Sequence, residues 1–208
     1  MIALRLLFAC LLLVPAMGHA AIQFTFTDRG AFVAAASPIT SLPLATTGAP
    51  PVIQPSLSTG ILTLSAIDGG IAGDGADIVS TELDADTLVL DFSRAVTGLG
   101  LFGGVVDEAF GFIDGVLLVT IDGETAQFDA TGGPAFLGLL TDVAFTRATI
   151  SVLSFDADAS AVAFVGLQSQ VDVAGVVPEP AAWALMILGV GAVGGSLRRR
   201  QRTAVRFA

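Results

Sequence analysis

The chain has 208 residues with nineteen acidic and nine basic side chains, a formal net charge of −10. Tyrosine and lysine are absent, and the single cysteine and single histidine, Cys10 and His19, lie in the first twenty residues. Beyond those residues the sequence excludes cysteine proteases, histidine-dependent serine hydrolases, Schiff-base enzymes and zinc sites built on cysteine or histidine. No disulfide can form within the chain. Carboxylate chemistry remains open, but nothing singles out two carboxylates, so we expect no enzyme.

Residues 1–20 have the pattern of a cleavable signal peptide. Arg5 supplies a positive charge, residues 6–14 form an apolar signal helix, and small residues follow. Gly18 and Ala20 occupy the positions at which signal peptidase requires small side chains, which predicts cleavage after Ala20, with cleavage after Ala21 as the alternative.

Residues 21–176 are long enough to form one secreted domain with a single core. They contain eighteen acidic residues and three arginines, Arg29, Arg94 and Arg147. This balance excludes binding to nucleic acid and anionic lipid. An acidic, solvated surface is the simpler interpretation of the charge, and association with cations is the alternative.

The first part of this domain predicts one strand and one short helix. Residues 22–27 alternate between apolar and polar side chains, and Thr27 with Asp28 can cap a helix over residues 29–36 that stops before Pro38. Residues 38–60 are rich in proline and predict a long surface loop or an extended edge segment. The sheet resumes at residues 61–65.

The rest of the domain predicts mainly strands. Runs rich in apolar and β-branched residues lie at 87–92, 96–102, 116–121, 125–130, 135–140, 146–153 and 161–168. Asp122-Gly123, between two of these runs, predicts a two-residue hairpin. The even spacing predicts an all-β fold, an antiparallel β-sandwich of jelly-roll type. Nine phenylalanines lie at or beside predicted strands, and we expect most of these nine to pack in the core. They are Phe24, Phe26, Phe92, Phe102, Phe128, Phe136, Phe145, Phe155 and Phe164.

One stretch is typical of a metal site. Asp68, Asp74 and Asp77 are interspersed with glycines, which allow the backbone to fold carboxylates and carbonyls around a hard cation such as calcium. Acidic residues at 82–86 can add ligands. The stretch matches neither an EF-hand loop nor tandem calcium-binding repeats, so a flexible acidic loop without a cofactor is the alternative.

The end of the chain combines a proline-rich turn, an apolar run and an arginine cluster. Val177 and the motif Pro178-Glu179-Pro180 precede residues 181–197, which carry no charge and reach about 25 Å as a helix at ~1.5 Å per residue. That length barely spans a hydrocarbon core of about 30 Å. Positive charges remain in the cytoplasm, so the cluster places the domain on the other side. A buried C-terminal helix is the alternative. The cluster comprises Arg198, Arg199, Arg200 and Arg202.

This tail, residues 177–208, resembles the PEP-CTERM sorting signal in its Trp-Ala subtype. The resemblance rests on Pro178-Glu179-Pro180, on Trp183-Ala184, on the glycine-rich apolar run and on the arginine cluster. Such tails are also labelled ice-binding-protein C-terminal domains, a label that names the tail and no activity. The resemblance implies a transient inner-membrane helix, cut near Pro-Glu-Pro by an exosortase. Carriers of such tails are surface or matrix proteins of Gram-negative, polysaccharide-producing bacteria.

Two functions follow as expectations. The first is an exported, exosortase-processed, non-catalytic protein of the cell surface or extracellular matrix, associated with exopolysaccharide or biofilm. The second is a calcium-assisted glycan-binding module. Residues 21–176 contain neither tryptophan nor tyrosine, so a glycan site must be polar or use phenylalanine. Residues 94–100, the hairpin and residues 136–138 also resemble the β-sandwich that often precedes these tails.

Overall fold

A computed structural model describes residues 20–44, 52–67, 69–73, 78–81, 87–156 and 162–175, together with residues 187, 188 and 190. The described domain is almost entirely β, with one short helix near its start. In chain order the elements are β1 (Ile22–Phe26), α1 (Arg29–Ala35), β2 (Ile39–Pro43), β3 (Val52–Gln54), β4 (Ser56–Thr59), β5 (Leu62–Ala66), β6 (Ile71–Gly73), β7 (Ile78–Thr81), β8 (Thr87–Val106), β9 (Phe112–Ile113), β10 (Gly115–Ile121), β11 (Glu124–Asp129), β12 (Ala135–Phe155) and β13 (Phe164–Ala174).

Two long strands organise the sheet. β8 has 20 residues and β12 has 21, and they pair antiparallel with register shifts between Leu140 and Arg147. On one side of these shifts, β8 pairs with β5 and β12 pairs with β10. On the other side, β8 pairs with β13 and β12 pairs with β1. Each long strand therefore belongs to two sheets that are continuous through it.

The first sheet has the order β4-β5-β8-β12-β10-β11, and the second has the order β1-β12-β8-β13. Beyond β13 the second sheet divides, because residues 170–174 of β13 pair with β2 and residues 166–168 pair with β7. β7 then pairs with β6, and β6 pairs with β3. All of these pairings are antiparallel. Leu64 and Leu90 from the first sheet share one buried cluster with Leu99 and Val173 from the second. The two sheets therefore enclose a common core, which is the arrangement of a β-sandwich.

Alternation along the strands accounts for this core. In β10, Leu117, Val119 and Ile121 are buried and alternate with half-buried residues, as expected when one face of a strand packs inward. The hairpin from β10 to β11 turns at Asp122 and Gly123, whose φ angles are 50° and 90°. Both positive values are those of a type I′ turn, which confirms the predicted hairpin.

Helix α1 covers the outer face of the second sheet. The Asp28 side chain accepts a hydrogen bond from the Ala31 N–H at 2.8 Å and caps the helix. Phe32 is fully buried and packs against Gly100 and Gly138, which lie opposite each other on β8 and β12. A second, smaller core forms here from Phe32, Ala36, Phe136 and Ala174.

The structure confirms an antiparallel β-sandwich, and it differs from the sequence predictions in two places. The strands predicted at 87–92 and 96–102 are one strand, β8, and those predicted at 135–140 and 146–153 are one strand, β12. β6 lies within residues 68–77, for which a flexible acidic loop was one of the two interpretations, and β7 follows it. The described part of the proline-rich residues 38–60 agrees with the extended-edge alternative, since β2, β3 and β4 pair with β13, β6 and β5, respectively, at the edges of the sheets. The jelly-roll subtype stays a prediction.

The predicted terminal helices lie largely outside the described residues. Within the described part of the chain, no helix has the length and apolar character needed to cross a bilayer. Ile187, Leu188 and Val190 are helical, and their side chains are exposed.

Candidate functional site

An open groove lies at one end of the second sheet. It has a volume of about 270 Å³ and forms where β1, the C-terminal end of α1 and the end of β13 meet the bends of β8 and β12. None of the described residues that line it is charged. Its polar and aromatic side chains are Gln23, Phe24, Ser37, Thr97 and Thr141.

Phe24 is the aromatic side chain of this groove, and it is 59% exposed. The other described phenylalanines are buried or half-buried. Phe24 is therefore an exception to the expectation that most of the strand phenylalanines pack in the core. β1 is an edge strand, and its register with β12 shifts between Ile22 and Phe24. An irregularity of this kind breaks the alternation of inward and outward side chains that the sequence pattern assumes.

The hydroxyls of the groove differ in their availability. Thr141 is 9% exposed, and its Oγ1 lies 2.9 Å from the Val143 carbonyl oxygen and 3.2 Å from that of Thr97. Its one proton is shared between an acceptor on β12 itself and a more distant acceptor on β8. The side chains of Gln23 and Ser37 make no hydrogen bond to another described residue, and both are exposed. An aromatic face beside a free amide and a free hydroxyl suits an uncharged, polar ligand.

The buried carboxylate of Asp172 lies near this groove but is fully engaged. Asp172 is 1% exposed. Arg29 Nε donates to its Oδ2 at 2.6 Å, and Ser41 Oγ and Gln170 Nε2 donate to its Oδ1 at 2.6 and 3.1 Å. The hydrogen bond to Asp172 raises the pKa of the Arg29 guanidinium, which therefore stays charged. This network ties α1 and β2 to β13.

The acidic loops beside β9, β10 and β11 are likewise engaged with their own backbone. Asp107 Oδ1 accepts from the N–H groups of Ala109 and Gly111 at 2.9 and 2.7 Å. Asp129 Oδ1 accepts from the Thr131 N–H and hydroxyl, which lowers the pKa of this carboxyl group. Across the described ranges, no group of three or more histidine, cysteine or acidic residues is placed to hold a metal ion.

Most of the site residues predicted from the sequence lie outside the described part of the chain. This holds for Asp68, Asp74 and Asp77, so the calcium prediction stays a prediction. It also holds for the sorting residues Val177, Pro178, Glu179, Pro180, Trp183, Ala184, Arg198, Arg199, Arg200 and Arg202. The residues of the predicted signal cleavage, Ala20 and Ala21, are described, and both donate backbone N–H groups to carboxylates.

Sequence reasoning missed the groove because its residues come from five separate elements. The sequence pattern predicts that Gln23 and Phe24 belong to an ordinary half-buried strand, and it gives Thr97 and Thr141 no feature that distinguishes them from other strand residues. The one available signal is that Phe24 belongs to the first strand of the domain, where an edge position leaves a side chain without a neighbour on one side.

The last described strand ends at Ala174, immediately before the tail. Residues 176–200 match the model of the PEP-CTERM protein-sorting motif. The chain carries a PEP-CTERM motif. This confirms the resemblance of the tail at the level of the motif, and it implies export and sorting by an exosortase. The match covers the tail alone and does not describe the β-sandwich. A comparison with curated protein sequences finds no match.

Two solved structures match this chain at low similarity. One is CBM29_1, a family 29 carbohydrate-binding module from Piromyces equi, with 13% identity and a TM-score of 0.36 over 65% of this chain and 91% of that chain. The other is a rhamnosidase from Klebsiella oxytoca with rhamnose bound, with 12% identity and a TM-score of 0.33. That alignment covers 74% of this chain and 33% of the rhamnosidase. Similarity at this level establishes no shared ligand.

Proposed function

We propose that the PEP-CTERM protein is an exported, exosortase-processed, non-catalytic component of the cell surface or extracellular matrix of a Gram-negative bacterium. The observation that carries the proposal is the PEP-CTERM motif at residues 176–200, which begins directly after β13 ends at Ala174. Cleavage near Pro178-Glu179-Pro180 therefore removes none of the described strands. The processed product keeps all of the described strands and is associated with exopolysaccharide or biofilm.

The absence of catalysis is supported by the chemistry of the described side chains. Residues 21–208 contain no cysteine, histidine, lysine or tyrosine. Asp172 is engaged with Arg29, and Asp107 and Asp129 with loop groups. Such carboxylates stabilise the fold and are not free to transfer protons.

The charge distribution supports a membrane-bound intermediate. The uncharged residues 181–197 enter the inner membrane, and the arginines that follow hold the tail's end in the cytoplasm. Signal peptidase acts at the amino terminus and the exosortase acts at the tail, so the anchor is transient. The Trp-Ala subtype specifies the local sequence in which the exosortase recognises the motif.

Fractionation of cells with and without the exosortase tests this function. We expect the wild-type product at the surface or in the medium, and in the inner membrane when the exosortase is absent. A chain with Pro178→Ala and Glu179→Ala should also stay in the membrane, whereas Gln201→Ala, beyond the matched motif, should be processed normally. Equal distribution of all of these proteins would contradict the proposal.

A second candidate function, glycan binding with assistance from calcium, is favoured by the uncharged groove at Phe24. An exposed aromatic ring can pack against the apolar face of a sugar, while Gln23 and Ser37 supply hydrogen bonds to hydroxyls. Asp68, Asp74 and Asp77 would provide the calcium site.

Binding of the exported protein to a glycan array tests this candidate. Phe24→Ala should weaken binding about tenfold, which corresponds to roughly 1.4 kcal/mol. Ile53→Ala is the matched control, because Ile53 is 54% exposed and lies on β3, away from the groove. Assistance from calcium predicts that chelation weakens binding and that Asp74→Asn does the same. Absence of binding to any glycan, or an equal loss in both variants, would refute the glycan site.

A further inference from the structure

The residue that follows the predicted signal cleavage site is held by one carboxylate. The Ala21 N–H donates to Asp142 Oδ1 at 2.8 Å, and the Asp142 N–H donates to the Ala21 carbonyl oxygen at 3.2 Å. Ala21 precedes β1, and Asp142 follows Thr141, the residue that pairs with Ile22. The two reciprocal bonds therefore sit at the point where β1 begins to pair with β12.

Cleavage changes the chemistry of this contact. Hydrolysis of the bond between Ala20 and Ala21 adds the hydroxyl of water to the Ala20 carbonyl carbon and a proton to the Ala21 nitrogen. At neutral pH that nitrogen takes a further proton and becomes an α-ammonium group. An amide that donates one hydrogen bond to Asp142 is thereby replaced by a cation with three donors. Hydrogen bonds between charged groups are shorter and about twice as strong as neutral ones.

We propose that Asp142 is a built-in receptor for the amino terminus that signal-peptide cleavage creates. The inference rests on the export of the protein and goes beyond its sorting. Maturation replaces a neutral hydrogen bond by a charged one at the start of edge strand β1, which carries Gln23 and Phe24 into the groove. The site therefore links processing at the start of the chain to the geometry of the groove.

Asp142 is placed to bind the amino terminus produced by cleavage after Ala20, and not the amino termini produced by cleavage one residue earlier or later. The Ala20 N–H donates to Asp122 Oδ2 at 3.2 Å, so a chain that starts one residue earlier directs its ammonium group to Asp122. A chain that starts at Ile22 lacks the nitrogen that contacts Asp142. Cleavage after Ala20 is thus the position that places the new charge on Asp142.

The charged groups on the elements that contact β1 are mainly acidic. β12 contributes Asp142 and Arg147, β11 with its preceding turn contributes Asp122, Glu124 and Asp129, and α1 with its cap contributes Asp28 and Arg29. The guanidinium groups of Arg29 and Arg147 are bound to Asp172 and Asp91, respectively. The net field at the α-ammonium therefore favours its charged form and raises the pKa of the α-amino group above its usual value of about 7.7–8.0. The stabilisation is present below that usual value and is lost as the pH rises through the folded pKa.

The composition of the chain allows a specific test. Because lysine is absent, the α-amino group is the only primary amine, and an amine-reactive acetylating reagent labels it alone. We would prepare the chain from Ala21 to Ala208 in detergent, with its first residue set by removal of a fusion partner. The labelling rate as a function of pH then reports the pKa of this amine. The labelling measurement does not depend on the exosortase, so failure of this inference is distinguishable from failure of the proposed function.

We expect Asp142→Asn to lower the pKa of the α-amino group and to speed labelling at pH 7.5 about threefold to tenfold. Glu108→Gln is the control, since it makes the same charge change in an exposed loop outside the elements that contact β1. In a chain that begins at Ala20, Asp122→Asn should have the larger effect. Equal labelling rates for wild type, Asp142→Asn and Glu108→Gln would overturn the proposal. Faster labelling in both variants would overturn it too, because a general field effect would then suffice.

Discussion

At the scale of single residues, the most constrained side chain is Asp172. It is buried on β13, and its two oxygens accept hydrogen bonds from Arg29 on α1, Ser41 on β2 and Gln170 on β13 itself. A buried carboxylate is tolerated only when it is paired and hydrogen-bonded, and this one satisfies both conditions. Asp172 therefore locks the position of the helix that covers the second sheet.

Replacement of this carboxylate should destabilise the fold. Asp172→Asn keeps the size of the side chain but turns one acceptor into an NH₂ group facing a donor, so we expect a loss of about 1–3 kcal/mol in the free energy of unfolding. Urea unfolding of the purified protein measures it. Asp91→Asn is the control, since the Asp91–Arg147 pair is exposed and should contribute much less. A similar loss in both variants would contradict the role given to Asp172.

Asp129 predicts a specific response to acid. Hydrogen bonds from the Thr131 hydroxyl and N–H lower the pKa of this carboxyl group. Its stabilisation is therefore present above the unfolded-state pKa and is lost as the pH falls through the lower folded-state pKa. Thr131→Val removes the hydroxyl, and the Asp129 pKa should rise toward its ordinary value in a pH titration followed by NMR. Thr125→Val, on the same strand, should leave it unchanged, and an unchanged value in Thr131→Val would refute the assignment.

At the scale of elements, local signals in the sequence predict a good part of the fold. The Asp28 cap and Pro38 bracket α1, and Asp122-Gly123 specifies the hairpin, because the chemistry of each lies within a few residues. The continuity of β8 and β12 was not predictable, since their bends arise from pairing with different neighbours at each end. The groove was missed for the same reason, because the exposure of Phe24 depends on the register between β1 and β12.

The packing of α1 on the second sheet also depends on the pairing of β8 with β12, which are distant in the sequence. Gly100 and Gly138 lie opposite each other, and a Cβ atom at either position would lie 2.6 or 2.8 Å, respectively, from the Phe32 ring. The absence of side chains at the two glycines therefore leaves the space that the Phe32 ring occupies, a space we call the Phe32 socket. Its two glycines belong to strands that are far apart in the sequence.

A larger residue in this socket should displace the helix. Gly138→Ala places a methyl group against Phe32, and overpacking of this kind costs about 1–3 kcal/mol. Thermal unfolding should show the loss, and Phe32→Leu in the same chain should recover part of it by removing the ring. Phe32→Leu alone should destabilise the protein. The socket would be refuted if the two substitutions proved additive, because residues in contact couple.

At the scale of the whole molecule, the proposed function rests on the PEP-CTERM motif and the predicted signal peptide more than on the sandwich between them. The PEP-CTERM motif was recognisable from the sequence because its proline-rich turn, apolar run and arginine cluster are contiguous. The function of the β-sandwich was less predictable, since any binding site on it is assembled from separate strands. The described domain ends at the motif and starts at the predicted signal cleavage site, so both cuts leave the described strands intact.

The intact mass of the protein recovered from the cell surface or medium tests this account most directly, because one spectrum reports both ends. We predict a chain that begins at Ala21 and ends between Val177 and Pro180, and the same strain without its exosortase should retain the full tail. A surface or secreted product that still contains residues 183–202 would contradict the central claim that the PEP-CTERM tail is a sorting signal removed during export.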